Sequence, residues 1–328
     1  MKRYVSFVIM ASAIVPAAAM AAFQYEGGFG SFGSGNGQFF YPSGAAARGG
    51  SDGYVYVADT NNHRIQYFTP TGSSANFKGT WGSFGSEKGE FNYPTGIALG
   101  PENVYVVDRL NHRIQYFTPT GSLLGTWGSF GDDKGQFKNP WGITVAPSGN
   151  VYVTDASNDR VQFFTADGSF LGSWGGTGSG DSQFRDPRGI AYGPSGFIYV
   201  TDVENNCIQY FGVNGAFFGR WGSRGSTPGY FTFPAGVACS PDNAGYVFVA
   251  DTKNDRVQYF TETGSIVGSY GKSGTATGEF NYPLGIAVSG TGARVFVADT
   301  HNNRIQYFNR NEPDVEPASL GRVKALFR

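Results

Sequence analysis

"VYVADTNNHRIQYF" occupies residues 55–68, and the chain writes it again as "VYVVDRLNHRIQYF" at 104–117 and "VFVADTHNNRIQYF" at 295–308. Aligning on its Asp gives Asp59, Asp108, Asp155, Asp202, Asp251 and Asp299, a period of roughly 48 residues over six units. A second marker keeps the same count: Pro42, Pro94, Pro140, Pro187, Pro234 and Pro283 each follow a phenylalanine by a few residues, as in "GEFNYP" and "GQFKNP". Sustained self-similarity at this period marks a propeller or a solenoid.

Within the second unit the apolar segments are "GIAL" (96–99), "VYVV" (104–107), "RIQYF" (113–117) and "SLLGTWG" (122–128). Each is strand length, β-branched or aromatic, and bounded by Gly, Pro, Asn or Thr. No segment keeps a helical period. Four short strands per unit make one antiparallel blade, so the predicted fold is all-β: a six-bladed propeller. The composition agrees, with 50 glycines, 29 phenylalanines and 19 tyrosines in 328 residues and 15% charged residues.

The chain ends make a separate argument. The sixth unit stops after "RIQYF" at 304–308, without a fourth strand, while "FQYEGGFGSFG" at 23–33 matches the stretch from Phe77 to Gly85 and precedes Pro42 as that stretch precedes Pro94. Residues from about 23 to 30 are therefore predicted to supply the missing outer strand of the last blade, which pairs an exposed edge and ties the ends together.

In D-x-x-N-x-R the Asp ends the second strand and the Arg begins the third, so they face each other across a hairpin and can pair. The expected pairs are Asp59 with Arg64, Asp108 with Arg113, Asp155 with Arg160, Asp251 with Arg256 and Asp299 with Arg304; Cys207 stands where the fourth Arg belongs. The Asn is expected to take left-handed backbone and shape the turn. Gln66, Gln115, Gln162, Gln209, Gln258 and Gln306 share a register in the third strand, where neighbouring blades would bury them and hydrogen-bond partners are required. Six copies of one constellation indicate scaffolding, not catalysis.

With glycine, proline, Asp and Arg at these offsets, "FNYPTGIALGPENVYVVDRLNHRIQYFTPTGSLLGTWG" resembles an NHL repeat, and the six copies extend over about 23–308. Unit one departs most, with "GAAARGGSDG" in place of the usual "GIAV-x-P-x-G". The resemblance implies a six-bladed propeller, a fold that hosts binding modules, RNA-binding domains and some enzymes.

Residues 1–21 have the basic start, apolar run and small-residue cleavage site of a signal peptide, which predicts a secreted, periplasmic or cell-surface protein. A propeller domain over 22–308 and a flexible C-terminal tail over 309–328 complete the expected organisation. No other segment reaches transmembrane length. A formal charge of −1 provides no basic field for nucleic acid, so none is expected as a partner. Cys207 and Cys239 are too few for a disulfide scaffold and read either as a bridge or as two buried thiols.

Strand parity puts the D-x-x-N-x-R hairpins and the long interblade loops on one face of the disc, and long loops on a rigid scaffold are where binding is usually placed. There the residues around the fixed framework vary between units. Thr95, Trp141, Arg188 and Leu284 follow the prolines; Arg109, Leu110, Lys253 and His301 follow the hairpin Asp. An exposed Trp141 flanked by Arg109 and Arg188 has the character of a contact hot spot. The expected function is a monomeric, non-catalytic scaffold that binds a protein or glycan through this face, without a cofactor. The alternative is an extracellular metal-dependent lyase or hydrolase, for which His63, His112 and His301 are the available ligands.

Overall fold

The computed structural model describes residues 23–49, 53–242 and 245–310; the leader expected at 1–21 and most of the expected tail lie outside them. The described residues form six four-stranded antiparallel sheets. Blades 1 to 5 occupy residues 42–81, 94–127, 140–175, 187–221 and 234–270 in simple meander order. Blade 6 takes three strands from residues 283–310 and its outer strand, Phe23–Phe29, from the other end of the chain. The last strand, Arg304–Arg310, runs two residues past the boundary expected at 308.

Every blade begins on its proline, the one strand position where a missing N–H costs no ladder bond. The inner strands then converge on the axis, and glycine is what lets them meet. A Cβ on Gly44 would lie 1.9 Å from the carbonyl oxygen of Thr95, and one on Gly142 would lie 2.1 Å from that of Arg188. The same contact recurs at Gly96, Gly189, Gly236 and Gly285, so only a residue without a side chain fits the ring. Between blades, six clusters of buried Val, Ile, Phe, Tyr and Ala side chains form the core, each drawing on two adjacent blades.

The repeated polar residues knit each blade to the loop that enters it. In blade 2 the Asp108 carboxylate accepts from Arg113 Nε (2.7 Å), Gln115 Nε2 (3.2 Å), the Asn92 backbone N–H (2.7 Å) and Asn111 Nδ2 (2.9 Å). Those donors reach on to the loop: Asn111 to Gly85 O, Arg113 to Ser86 O, Glu87 O and Glu90 O, and Gln115 to Glu90 O. A buried carboxylate is thus surrounded by donors, as burial requires. The hairpin differs from expectation in one respect. Asn111 sits in a 3₁₀ turn and donates its amide, while the left-handed residue is the next one, His112, at φ 54°. The other blades place Asp or Asn or a second His at that position, residue types that tolerate left-handed backbone.

Blade 4 lacks the guanidinium, and Cys207 Sγ lies 4.0 Å from Asp202 Oδ2. Burial pushes the Asp202 carboxyl up, opposed by hydrogen bonds from Asn205, Gln209 and the Arg185 backbone. The outer strand replaces one loop contact without restoring the ion pair: Arg220 Nη1 donates to Ser179 O at 2.8 Å, as Arg160 does to Asp132 O in blade 3, while its charge is paired with Asp181. Cys207 and Cys239 are both free thiols, and burial raises Cys207 to about 12, so the bridge is not formed and neither thiol is activated.

Candidate binding face

The hairpins and interblade loops share one end of the disc, and two sets of residues there are held by the framework without belonging to it. The first is a belt around the axis. Trp141, half-buried at the start of blade 3, lies between two guanidinium groups, Arg109 at 4.5 Å and Arg188 at 4.2 Å from its ring centroid. Arg188 also covers Phe233 at 4.6 Å, and Lys253 Nζ stands 4.8 Å from the same ring. Tyr282 follows, 6.1 Å from Phe233, and stacks on His301 at 4.6 Å and 6°; His301 meets Tyr41 at 5.2 Å. Cations and aromatic faces therefore alternate from blade 2 to blade 5, each contact worth about 0.5–2 kcal/mol.

Trp141 is consequently less exposed than its sequence position suggests, because both arginines lie against it. Thr95 and Leu284 are 1% and 8% exposed and belong to the wall of a small axial cavity. Leu110, Lys253 and His301 are exposed. Arg188 is paired with Asp186 at 2.7 Å. Arg109 makes no ion pair among the described residues, and its Nε is buried without a hydrogen-bond partner. Burial and then the Arg188 charge lower the Arg109 pKa, against the pull of Asp186, and the guanidinium stays protonated.

The second set is exposed. Phe32, Phe84 and Phe130 are 67%, 67% and 65% exposed, although each occupies a fixed register, bridged to the buried Phe39, Phe91 and Phe137. The other three loops carry Thr177, Arg224 and Ser273 at that register. The apolar half of the face is thus the loops entering blades 1, 2 and 3. Sequence reasoning passed over these residues; the available signal was "GSFG" at 30–33, 82–85 and 128–131, against "GGTG", "GSRG" and "GKSG" in the other loops.

The histidines do two different jobs. His63 Nδ1 accepts from the Tyr93 backbone N–H at 3.2 Å, and His112 Nδ1 from that of Asn139 at 3.1 Å. Asp159, Asn206, Asp255 and Asn303 make the same bond to Asp186, Phe233, Tyr282 and Tyr41. Each staples its blade to the left-handed residue before the next blade's proline. His301, two positions earlier in its hairpin, joins the belt instead. Among the described residues no three His, Cys, Asp or Glu side chains are grouped to hold a metal.

Because Nδ1 must stay unprotonated to accept, both stapling histidines resist protonation, and burial, the largest cause, lowers their pKa below 6.5. The folded state then holds these protons less tightly than the unfolded chain, so stability is full above the unfolded value and falls as pH drops through it. The urea midpoint at about pH 5.5 is expected to lie slightly below that at about pH 7.5, the difference kept small by partial solvation. That component disappears in His63→Asn/His112→Asn, which uses the residue found at Asn206 and Asn303; an unchanged pH dependence in the double variant would remove the histidines from the account.

Residues 137–164, 184–211 and 280–308, in blades 3, 4 and 6, match the NHL repeat family. Three of the six blades match NHL repeats. A 75-residue stretch, 23% of this chain, is 43% identical to Protein brain tumor of Drosophila melanogaster and spans 7% of that protein's length. Among solved structures, the propeller superposes on a streptogramin B lyase with a TM-score of 0.57 at 15% identity, covering 88% of this chain and 98% of the lyase. A gluconolactonase from Xanthomonas campestris gives 0.57 at 15% over 83% and 87%. A chain of a nidogen/laminin complex gives 0.52 at 18% over 70% and 79%. At these identities the likeness is one of fold, shared by enzymes and by a binding protein.

Proposed function

We propose that this NHL propeller is a non-catalytic binding scaffold whose loop-bearing end receives a macromolecular partner, protein in the first instance. The observation that carries this reading is the belt from Arg109 through Trp141, Arg188 and Phe233 to Lys253, flanked by exposed Phe32, Phe84 and Phe130. Aromatic and Arg side chains fixed on a rigid frame are the residue types that dominate interface energetics, and their rigidity lowers the entropy lost on binding. The framework beneath them repeats from blade to blade, with Cys207 in blade 4 as its departure, whereas these residues vary between blades. We further propose that the protein is exported, from the leader-like residues 1–21. No helix among the described residues is long and apolar enough to cross a membrane.

The test is site-directed photo-crosslinking in the native producer, with a photoreactive phenylalanine installed at Phe84 and, as control, at Phe218, which is exposed on the outer strand of blade 4. Adducts are expected from Phe84 and not from Phe218. Unlabelled protein should compete them away, and Trp141→Ser/Arg188→Ser should not. Equal adducts at both positions, or none at Phe84, would refute a loop-face contact.

A further inference from the structure

The belt contains three cations and, in contact with them, one carboxylate. Asp186 binds Arg188 through Nε (2.9 Å) and Nη2 (2.7 Å), so that guanidinium is already engaged. Lys253 is exposed and lies over Phe233. Arg109 is different: its plane is fixed against Trp141, its Nε is buried without an acceptor, and its positive neighbour Arg188 is not balanced by a second acidic group. A guanidinium held in this way, half-buried with its Nε enclosed, has part of its desolvation and side-chain ordering already in place, and its outer nitrogens are left to receive an acceptor. Leu110, the next residue, is exposed, and the loop that ends at Trp141 carries exposed Phe130. The stapling His112 of the same hairpin packs 5.0 Å from Phe130, so the cation and the apolar surface belong to one assembly between blades 2 and 3.

We propose that this seat takes an acidic polypeptide segment, with an Asp or Glu carboxylate against Arg109 and apolar side chains over Phe130 and Phe84. The inference rests on the loop-face binding reading and specifies its ligand class. The planar fork of a guanidinium matches a carboxylate in geometry as well as charge. Carboxylate is favoured over nucleic acid on two grounds. The formal charge of the chain is −1, so a polyanion meets no extended basic field, and duplex or single-strand binding draws on a run of phosphate contacts that the belt's three cations do not supply, while Lys138 over Phe130 is paired with Asp132. Alternating acidic and apolar side chains, in contrast, fit a central cation bordered by exposed phenylalanines.

Fluorescence anisotropy with three labelled probes tests this: a short Glu–Phe alternating peptide, its Gln–Phe isostere and a short single-stranded oligouridine. The Glu–Phe peptide is expected to bind at least about tenfold more tightly than the other two, and to weaken as salt is added. Arg109→Gln should remove that advantage, Arg109→Lys should keep part of it, and Phe130→Ala should weaken both peptides; unchanged thermal midpoints would show that each variant folds. Equal binding of Glu–Phe and Gln–Phe peptides, with loss only in Phe130→Ala, would overturn the acidic class while leaving a binding face. Preferential binding of oligouridine would overturn it in favour of nucleic acid. Binding by none of the probes would also overturn it, and the crosslinking at Phe84 would then decide separately whether the face binds anything.

Discussion

A chain that begins at Gly30 is expected to lose cooperative thermal unfolding, or to melt far below one that begins at Phe23. Residues Phe23–Phe29 pair with Arg304–Arg310 in antiparallel register from Phe23 opposite Arg310 to Phe29 opposite Ile305. The Phe23 ring lies 5.1 Å from Phe248, 5.3 Å from Tyr259 and 5.9 Å from Tyr270, which puts it in the interface of blades 5 and 6. Phe29 lies 4.7 Å from Phe68 on the other side, in the interface of blades 6 and 1. Glu26 adds an ion pair to Arg294. One strand thus completes two interfaces: buried Phe23 contributes about 1.5–3 kcal/mol and half-buried Phe29 less, before the unpaired edge of Arg304–Arg310 is counted. A total stability of about 5–15 kcal/mol does not absorb that loss comfortably. Circular dichroism melts and size-exclusion profiles of the two chains provide the measurement, with a synthetic peptide of residues 23–29 added to restore the shortened one. A midpoint within about 2 °C of the longer chain would show that ring closure does not depend on this strand.

That strand was legible because a repeat leaves its own missing part visible: "FQYEGGFGSFG" has the form of a fourth strand with no blade before it. The six hairpin Asp residues likewise disclosed the blade count, since spacing survives where side chains vary. What did not show was which variable residues meet. Arg109, Trp141 and Arg188, read together from their places beside Asp108, Pro140 and Pro187, do lie against one another. The continuation through Phe233, the residue before a proline, was not, because only a left-handed backbone there carries its ring beside Arg188. Thr95 and Leu284 occupy the same sequence position as Trp141 but are buried at the wall of the axial cavity, a difference of size and neighbours, not of period. The substitution of Arg220 for the absent fourth hairpin Arg lies on the next strand, outside the motif that displayed the gap.

The two layers of the loop face have opposite requirements, and this explains the residue choices in each. The framework repeats its chemistry in five blades, because the loop must be returned to the same place each time, and in blade 4, where Cys207 replaces the Arg, Arg220 from the next strand takes over a loop carbonyl. Variation without such compensation falls where no loop carbonyl depends on the side chain. Trp141, Phe84 and Phe130 are of that kind: they are positioned by backbone that others fix, so their replacement removes surface without removing the loop. Loss of binding with retained stability is therefore the signature that separates them from Asp, Asn, Arg and Gln of the motif.

Asp108→Ala should behave in the contrary way and cost about 3–5 kcal/mol, the range for breaking a buried charged pair by removing one partner. The carboxylate is fully buried, and its removal strands Arg113 Nε, Gln115 Nε2, Asn111 Nδ2 and the Asn92 N–H at once. Arg113 keeps its bonds to Ser86 O, Glu87 O and Glu90 O, so the cation remains in a largely enclosed site, 13% exposed, with its charge unbalanced. Asp202→Ala is the control that isolates this term, because blade 4 has the same buried carboxylate, Asn205 and Gln209 but Cys207 in place of the guanidinium. It strands hydrogen-bond donors without stranding a paired cation, and the expected cost is smaller, about 1–3 kcal/mol. Urea unfolding of both variants at neutral pH measures the difference. If the two substitutions cost the same, the Arg113 charge contributes nothing beyond its hydrogen bonds, and the motif stabilises the blade as a donor network alone.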